Sequence, residues 1–392
     1  MTTPGAIAQS AVRGRAEALV SLSHDLHAHP ETAFEEHRAA TAVTELLARE
    51  GFDVERGVCG LETAFVATAG SGPVRIGVCA EYDALPSVGH ACGHNVIAAS
   101  SVGAAIGLAA VADDVGATVV ILGTPAEEGG GGKILMLDAG AFDGLDVAMM
   151  VHPWPSDRLE ATCLAVDHFD VTYTGTEAHA SAAPWRGVNA ADAMTIAQVA
   201  IGLLRQQLAP GDQVHGVVVA GGAAANIIPA HVVGRFMCRS VEADRLRALR
   251  ARVEACFVAG ATATGATVLL EEVGPPYSHM ISDPGLLASY RRHAEALGRS
   301  FAADDHEPRP TISTDMANVS LRIPSIHPLI GIDAMGSVNH QPNFAAACAT
   351  ASADRAVLDG AIALAMTGID VATDADLRGG LGAGLSRAQP GR

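Results

Sequence analysis

"VRIGVCAEYDALPSVGHACGHNVIAASSVGAAIGLAAVADD", residues 74–114, holds the pattern that decides the fold. It opens on a strand-like run, VRIGVCA (74–80), crosses a linker dense in acids, histidines and one cysteine, and enters a long alanine-rich helical segment (93–114). A strand that feeds a helix through a loaded loop is the repeating unit of a parallel sheet. The unit recurs downstream. ATVVILG (117–123) reads as strand, TPAEEGGGG as loop, KILMLDAGAF (133–142) as helix and DVAMMV (146–151) as strand. Upstream, residues from about 8 to 50 read as helix closing on Gly51.

The pattern changes after about residue 166. VDHFDVTYTGTEAH alternates like a half-buried strand, GVNAADAMTIAQVAIGLLRQQL reads as helix, and QVHGVVVAGG and HVVGRFMCRSV read as strands. EADRLRALRARVEACFVAGATATG is again helical and ATVLLEEVG is a last strand. The β-α-β-β-α-β order predicts a small open-faced α+β sandwich. GPPYSH (274–279) marks its end, a helical segment follows, and the stretch up to Phe344 is loop-rich. The expected organisation is therefore an α/β, mainly parallel-sheet domain over 1–165 and 277–376, interrupted by an inserted domain over 166–276. A Gly/Arg-rich tail over 377–392 is expected to be disordered.

Bulk properties bound the function. Nearly half of the 392 residues are hydrophobic, which places the chain among globular proteins. A net charge of -18 argues against a nucleic-acid partner and against an anionic membrane surface. The N-terminal stretch lacks a signal-peptide core, and no apolar run is expected to span a membrane. Seven scattered cysteines with no CxxC pair fit reduced thiols in the cytoplasm.

In open α/β sheets functional groups gather at the carboxyl ends of strands. Here VRIGVCA runs into Glu81 and Asp83, ATVVILG into Glu127 and Glu128, and DVAMMV into His152. The linker after the first strand places Cys92 and His94 at the same edge, and His340 arrives in GSVNHQPNF. Thiolate, imidazole and carboxylate donors together suit zinc or a neighbouring first-row ion. Adjacent Glu127 and Glu128 allow one carboxylate to bind metal while the other handles protons, the arrangement needed to hydrolyse an amide. From these residues alone three readings stay open: Cys92 as metal ligand, Cys92 as the nucleophile of a cysteine amidase, or a non-catalytic metal-holding scaffold.

The stretches AEYDALPSVGHACGHN, GTPAEEGGGG, GTEAHASAAPWRGVNAADA, GGAAANIIP and STDMANVS…PSIHP resemble, in this order, the M20 family of metallopeptidases and amidohydrolases. Within it they are most similar to the branch of aminobenzoyl-glutamate hydrolase and the aminoacylase-1-like dipeptidases. The resemblance spans about residues 20–350. It implies a homodimeric hydrolase of small amide or dipeptide bonds carrying two divalent ions; the donor types point to zinc or manganese first, then cobalt or nickel, and the reduced cysteines to the cytoplasm. Cys92 would bridge the ions, with Glu128 and His340 completing one site and His94 and His152 the other. Glu127 would be the general base and Asp83 would orient a ligand histidine. The inserted domain would act as lid and dimerisation domain. Its His179 would reach the partner's site to stabilise the oxyanion, and Asn226 and Arg239 would bind substrate. Two departures matter. Asn95 and Ile97 stand where many relatives carry Asp and His, so no proton or metal role falls to Asn95. Glu81 stands where many carry the metal-binding His of an HxD motif, which supports His94 as the replacement.

Overall fold

The computed structural model describes residues 2–301, 311–334, 336–383 and 385. It divides into two compact units, one holding the residues up to Thr162 and from Met280 onward, the other Cys163–His279.

The first unit opens with helices α1 (Pro4–Gly14), α2 (Ala16–Ala28) and α3 (His37–Arg49). Strands β1 (Asp53–Arg56), β2 (Phe65–Gly70) and β3 (Val74–Ala80) follow, then α4 (His94–Ala109) and the short α5 (Ala112–Val115). Next come β4 (Ala117–Gly123), α6 (Gly132–Asp138), β5 (Val147–Met149), β6 (His152–Trp154) and the two-residue β7 (Thr162–Cys163). β4, β3 and β5 run parallel to one another. Every residue of β4 is buried, which is why it reads as an unbroken apolar run rather than an alternating one. Two strands do not stand out in the sequence. β2 pairs antiparallel with β4, and β1 with β2, extending the sheet on that side. β1 is four residues long and mostly exposed, so it carries no hydrophobic period.

α4 has no polar face. Its residues from His94 to Leu108 are all buried, the signature of a central helix. It packs along α1, α2 and the later helix α12 (Ala351–Thr373). A Cβ at Gly103 would come within 2.7 Å of the Ala361 Cβ and 2.9 Å of Leu19. Only glycine lets the three helices approach this closely there.

The second unit follows the β-α-β-β-α-β order: β8 (Ala165–Thr174), α7 (Ala190–Leu204), β9 (Gln213–Ala220), β10 (His231–Ser240), α8 (Ala243–Thr264) and β11 (Thr267–Glu272). Its antiparallel sheet has the order β11-β8-β10-β9. Asn189 caps α7 by accepting the N–H groups of Ala191 and Asp192. Phe169, Phe236 and Phe257 form the core, the last two with ring centroids 4.8 Å apart. Arg250 lies 3.7 Å above the Phe169 ring and 2.6 Å from Asp167.

The chain returns to the first unit with α9 (Pro284–Ala296), β12 (Thr311–Ile312), α10 (Met316–Ser320), β13 (Ser325–Ile326), β14 (Leu329–Gly331), α11 (Pro342–Ala347), α12 (Ala351–Thr373) and α13 (Ala375–Gly380). The stretch read as loop-rich is thus more ordered than expected: β13 joins the main sheet parallel to β5, and β14 pairs with β6. α12 corrects a second expectation, since its 23 residues are long and apolar enough to match a membrane span. Most of it is buried against α4, α9 and α1. The tail differs too. Residues 377–380, expected to be disordered, complete α13, which Asp374 caps through the N–H groups of Asp376 and Leu377. Residues 386–392 lie outside the described residues.

Candidate metal centre

The ends of β3 and β4, the start of β6, the loop into α4 and one late turn build one polar cluster in the first unit. β3 ends at Ala80 and the chain runs straight into Glu81 and Asp83, both buried. β4 ends at Gly123 and turns through Ala126 into Glu127 and Glu128. β6 begins on His152. Cys92 precedes α4, on whose first turn His94 sits. His340 sits in the left-handed region at φ 69, its N–H donating to the Ala91 carbonyl at 2.8 Å. That bond ties the C-terminal segment to the cysteine loop.

Cys92 Sγ is the hub. His152 Nε2 lies 3.5 Å from it and His340 Nε2 3.6 Å. The donor atoms of Cys92, His94 and His152 lie within 4.8 Å of one another, as do those of Cys92, Glu128 and His340, and those of His94, Glu127 and Glu128. These are three overlapping sets of donors suited to divalent cations.

The imidazoles are oriented from behind. His94 Nδ1–H donates to Asp83 Oδ1 at 2.9 Å, and His152 Nδ1–H to the Pro153 carbonyl at 2.8 Å. Each bond leaves Nε2 turned toward the cluster, the usual way a ligand histidine is held. Asp83 does more than orient His94, because its Oδ2 accepts the Glu128 N–H at 3.0 Å. One carboxylate thereby holds both His94 on α4 and the Glu128 backbone after β4.

The electrostatics ask for positive charge. Burial, then the Glu128 carboxylate, pushes the Cys92 thiol well above its ordinary value. Burial, then Glu128 and Glu81, likewise holds Glu127 well above the usual carboxylate range. Burial alone would drive His94 down, yet Asp83 holds it well above the usual histidine range. His152, next to His327, is pushed down to about 3 by burial and stays neutral, as a ligand must be. His94 Nε2 and Glu81 Oε2 are buried without a hydrogen-bond partner, 3.4 Å apart. A thiol, two glutamates and bare imidazole nitrogens in one buried pocket fit divalent cations, and cations would invert these shifts.

Several residues at this edge carry no role in the sequence reading. Lys133 is fully buried, its Nζ 2.5 Å from Glu81 and 2.8 Å from Asp315. The triad joins the starts of α6 and α10 to the end of β3. His327, in the PSIHP stretch, packs its ring 5.3 Å from that of His152. Asn339 Nδ2 reaches the Cys92 carbonyl at 3.4 Å. Asn95 is a structural tie: its Nδ2 donates to Ser23 Oγ and to the Cys348 carbonyl, both at 2.9 Å. The remaining nominated residues belong to the second unit. His179 is exposed, and its Nδ1 accepts the Ala182 N–H at 3.2 Å. Asn226 is exposed, and its carbonyl accepts the Ala180 N–H at 3.0 Å. Arg239 is half-buried on β10 opposite Val166 and Gln213.

Comparison with known proteins gives consistent results. Residues 77–358 match the model of peptidase family M20/M25/M40. The Xaa-Arg dipeptidase of Mus musculus is 40% identical over 373 residues, covering 91% of this chain and 86% of that protein. A component chain of the p-aminobenzoyl-glutamate hydrolase of Escherichia coli is 31% identical over 261 residues, 61% of this chain and 54% of that protein. The fold is similar to that of a dinuclear metal-binding M20 peptidase from Bacillus subtilis, at a TM-score of 0.70 and 21% identity over 92% of this chain and 99% of that one.

Proposed function

We propose, from the premise that this chain belongs to peptidase family M20/M25/M40, that it is a two-metal dipeptidase acting on dipeptides with a cationic C-terminal residue, arginine above all. The chain is a metallo-dipeptidase or amidohydrolase of that family, cleaving amide bonds. The preference for arginine rests on its similarity to Xaa-Arg dipeptidase. A net charge of -18 also favours the approach of a cationic substrate.

The observation that carries the reading is the convergence of Cys92, His94, Glu127, Glu128, His152 and His340 in overlapping donor sets. Cys92 would bridge two ions, with Glu128 and His340 on one and His94 and His152 on the other. Zinc and manganese suit this mixed set of sulfur, nitrogen and oxygen donors best. Such ions polarise the scissile carbonyl and acidify water. Glu127 takes the proton of the attacking water and delivers it to the leaving amine. Asp83 holds His94 and the Glu127–Glu128 turn in place. The partner subunit's His179 stabilises the oxyanion, and Arg239 and Asn226 bind the substrate carboxylate.

Two copies would pair through the second unit. β9 is an edge strand on which Val217 and Val219 are 59% and 62% exposed, and Ile196, Val199 and Leu203 form an exposed stripe along α7. Seven free cysteines suit a reducing, cytoplasmic setting.

The test is a screen of metal-reconstituted enzyme against Xaa-Arg, Xaa-Lys, β-alanyl and uncharged dipeptides, aminobenzoyl-glutamate and N-acyl amino acids. The reading expects Xaa-Arg substrates to lead in kcat/KM. A preference for aminobenzoyl-glutamate or N-acyl substrates would overturn the arginine assignment. Activity that survives EDTA but not iodoacetamide would overturn the metal mechanism in favour of a cysteine nucleophile.

A further inference from the structure

Glu36 lies outside the cluster, immediately before α3, and is fully buried. No lysine or arginine pairs with it among the described residues. Its carboxylate is instead engaged in three hydrogen bonds. Oε1 accepts the Phe34 N–H and the Ala126 N–H, both at 2.9 Å, and Oε2 accepts the Thr63 hydroxyl at 2.8 Å. Burial raises its pKa, so the contacts have to offset a real desolvation cost.

Both backbone donors on Oε1 are unusual. Phe34 has φ 64 and Ala126 φ 57. This left-handed region is costly for any residue with a Cβ and persists where surroundings hold it. Ala126 is the residue directly before Glu127. Its carbonyl accepts the Gly130 N–H at 3.1 Å, and the Glu127 carbonyl accepts the Gly129 N–H at 2.7 Å. The turn is therefore tight. A Cβ on Gly130 would come within 2.6 Å of the Ala126 Cβ and 2.7 Å of the Phe34 ring. On the far side of Glu127, Asp83 holds the Glu128 N–H at 3.0 Å. Glu127 is thus suspended between two buried carboxylates, one gripping the residue before it and one the residue after it.

We propose that Glu36 is a positioning residue for Glu127: by holding Ala126 in a left-handed conformation it aims the Glu127 carboxylate at the cluster, without touching substrate or metal. This rests on the reading of Glu127 as the proton carrier. Without the Glu36 acceptor, Ala126 relaxes out of its costly region and Glu127 turns with it. Glu128 keeps its own anchor on Asp83, so metal binding persists while proton transfer fails.

The experiment measures kcat, KM and calorimetric metal affinity for Glu36→Ala, Glu36→Gln, Ala126→Gly and the double variant Glu36→Ala/Ala126→Gly. Misplacing a reacting group by about 1 Å can cost on the order of 100-fold. Glu36→Ala is therefore expected to lose about 10- to 100-fold in kcat, with KM and metal affinity each within about threefold. Glu36→Gln keeps an acceptor oxygen and recovers all but about threefold. The double variant regains about tenfold over Glu36→Ala, because glycine adopts the left-handed conformation without the penalty. A purely structural role predicts no rescue by Ala126→Gly, and that result overturns the proposal, as does an unchanged kcat in Glu36→Ala. If Glu36→Ala does not fold, Glu36→Asp keeps the charge but loses the reach, and the same rescue applies to it. Glu127→Gln is measured alongside. If it stays active, the proton-carrier reading fails and takes this proposal with it. If it is inactive while Glu36→Ala is normal, only the proposal for Glu36 fails.

Discussion

The two units invert the ordinary rule of soluble proteins in opposite ways. The first buries charge: Glu36, Glu81, Asp83, Lys133 and Asp315 are at most 1% exposed inside an otherwise apolar core. The second exposes hydrophobics: Val217, Val219 and Leu203 are 59%, 62% and 71% exposed on a small domain with a well-packed aromatic core of its own. Buried ionisable groups are costly unless each has a partner, and so mark places where chemistry is done. Exposed apolar stripes beside an open strand edge mark places where another chain docks. The contrast teaches where to look. Catalytic groups are expected where the core is too polar, and an interface where the surface is too apolar.

The contrast can be broken most severely at the buried cluster. Removing divalent metal with a chelator should abolish activity, and re-adding zinc or manganese should restore it; an enzyme indifferent to chelation ends the metal reading. Next in size is Glu127→Gln. It should lower kcat by about 100- to 10,000-fold, the range of general acid–base catalysis, while calorimetry still finds metal bound.

His179→Ala tests whether the exposed side of the comparison also serves the chemistry. It should cost about 100-fold in kcat, as the loss of one oxyanion donor does. Mixing it with Glu127→Gln and letting the protomers exchange should restore about one quarter of wild-type activity. Half of the dimers are then mixed, and one site of two in each is complete. No recovery would place His179 in its own protomer's site or outside catalysis altogether.

A smaller effect separates the two kinds of buried pair. Lys133→Ala leaves Glu81 and Asp315 facing each other without their cation, and should destabilise the first unit by about 3–5 kcal/mol. Arg250→Ala in the second unit removes one partner of a buried ion pair with Asp167 whose side chains keep 11% and 10% exposure, and should cost less, read as a smaller shift in the denaturation midpoint. Equal losses would show that the first unit's charges are no more dependent on one another than the Arg250–Asp167 pair. The mildest change, Val217→Lys with Val219→Lys, should leave the fold intact and shift sedimentation from dimer toward monomer. Unchanged mass in solution would remove β9 from the proposed interface.

How much of this is legible in the sequence follows from the range of the interactions. β3, β4 and β5 announce themselves as apolar runs, and the rule that functional groups collect past strand ends leads from them to Glu81, Asp83, Glu127, Glu128 and His152. Those steps need only local pattern. His340 has no strand to point to it. It lies 248 residues from Cys92 in the chain, so residue type alone adds it to the donor set, and the family resemblance gives it a place there. Lys133, Asp315 and Glu36 stay silent for a similar reason. Lys133 reads as an ordinary cation at a helix start until the fold brings Asp315, 182 residues away, against it. Glu36 sits in a plain acidic stretch, FEEH, until Ala126 arrives from 90 residues downstream. β1 and β2 escape notice because short, half-exposed antiparallel strands carry little periodicity.

The interruption of the first unit has a consequence for how the protein is made. Residues 163–279 are contiguous, so the second unit has its whole sequence once the ribosome has passed it. The first unit must wait. Its last sheet strand, the helix α12 that packs on α4, and His340 all come from the final third of the chain. During that interval, seconds at ordinary translation speeds, the inserted unit can fold and offer its apolar edge while the catalytic pocket is still open. On the proposed pairing, assembly of two copies would therefore begin before either is an enzyme. A nascent chain stalled near residue 300 should already protect the second unit from protease while leaving the Cys92 loop open to cleavage.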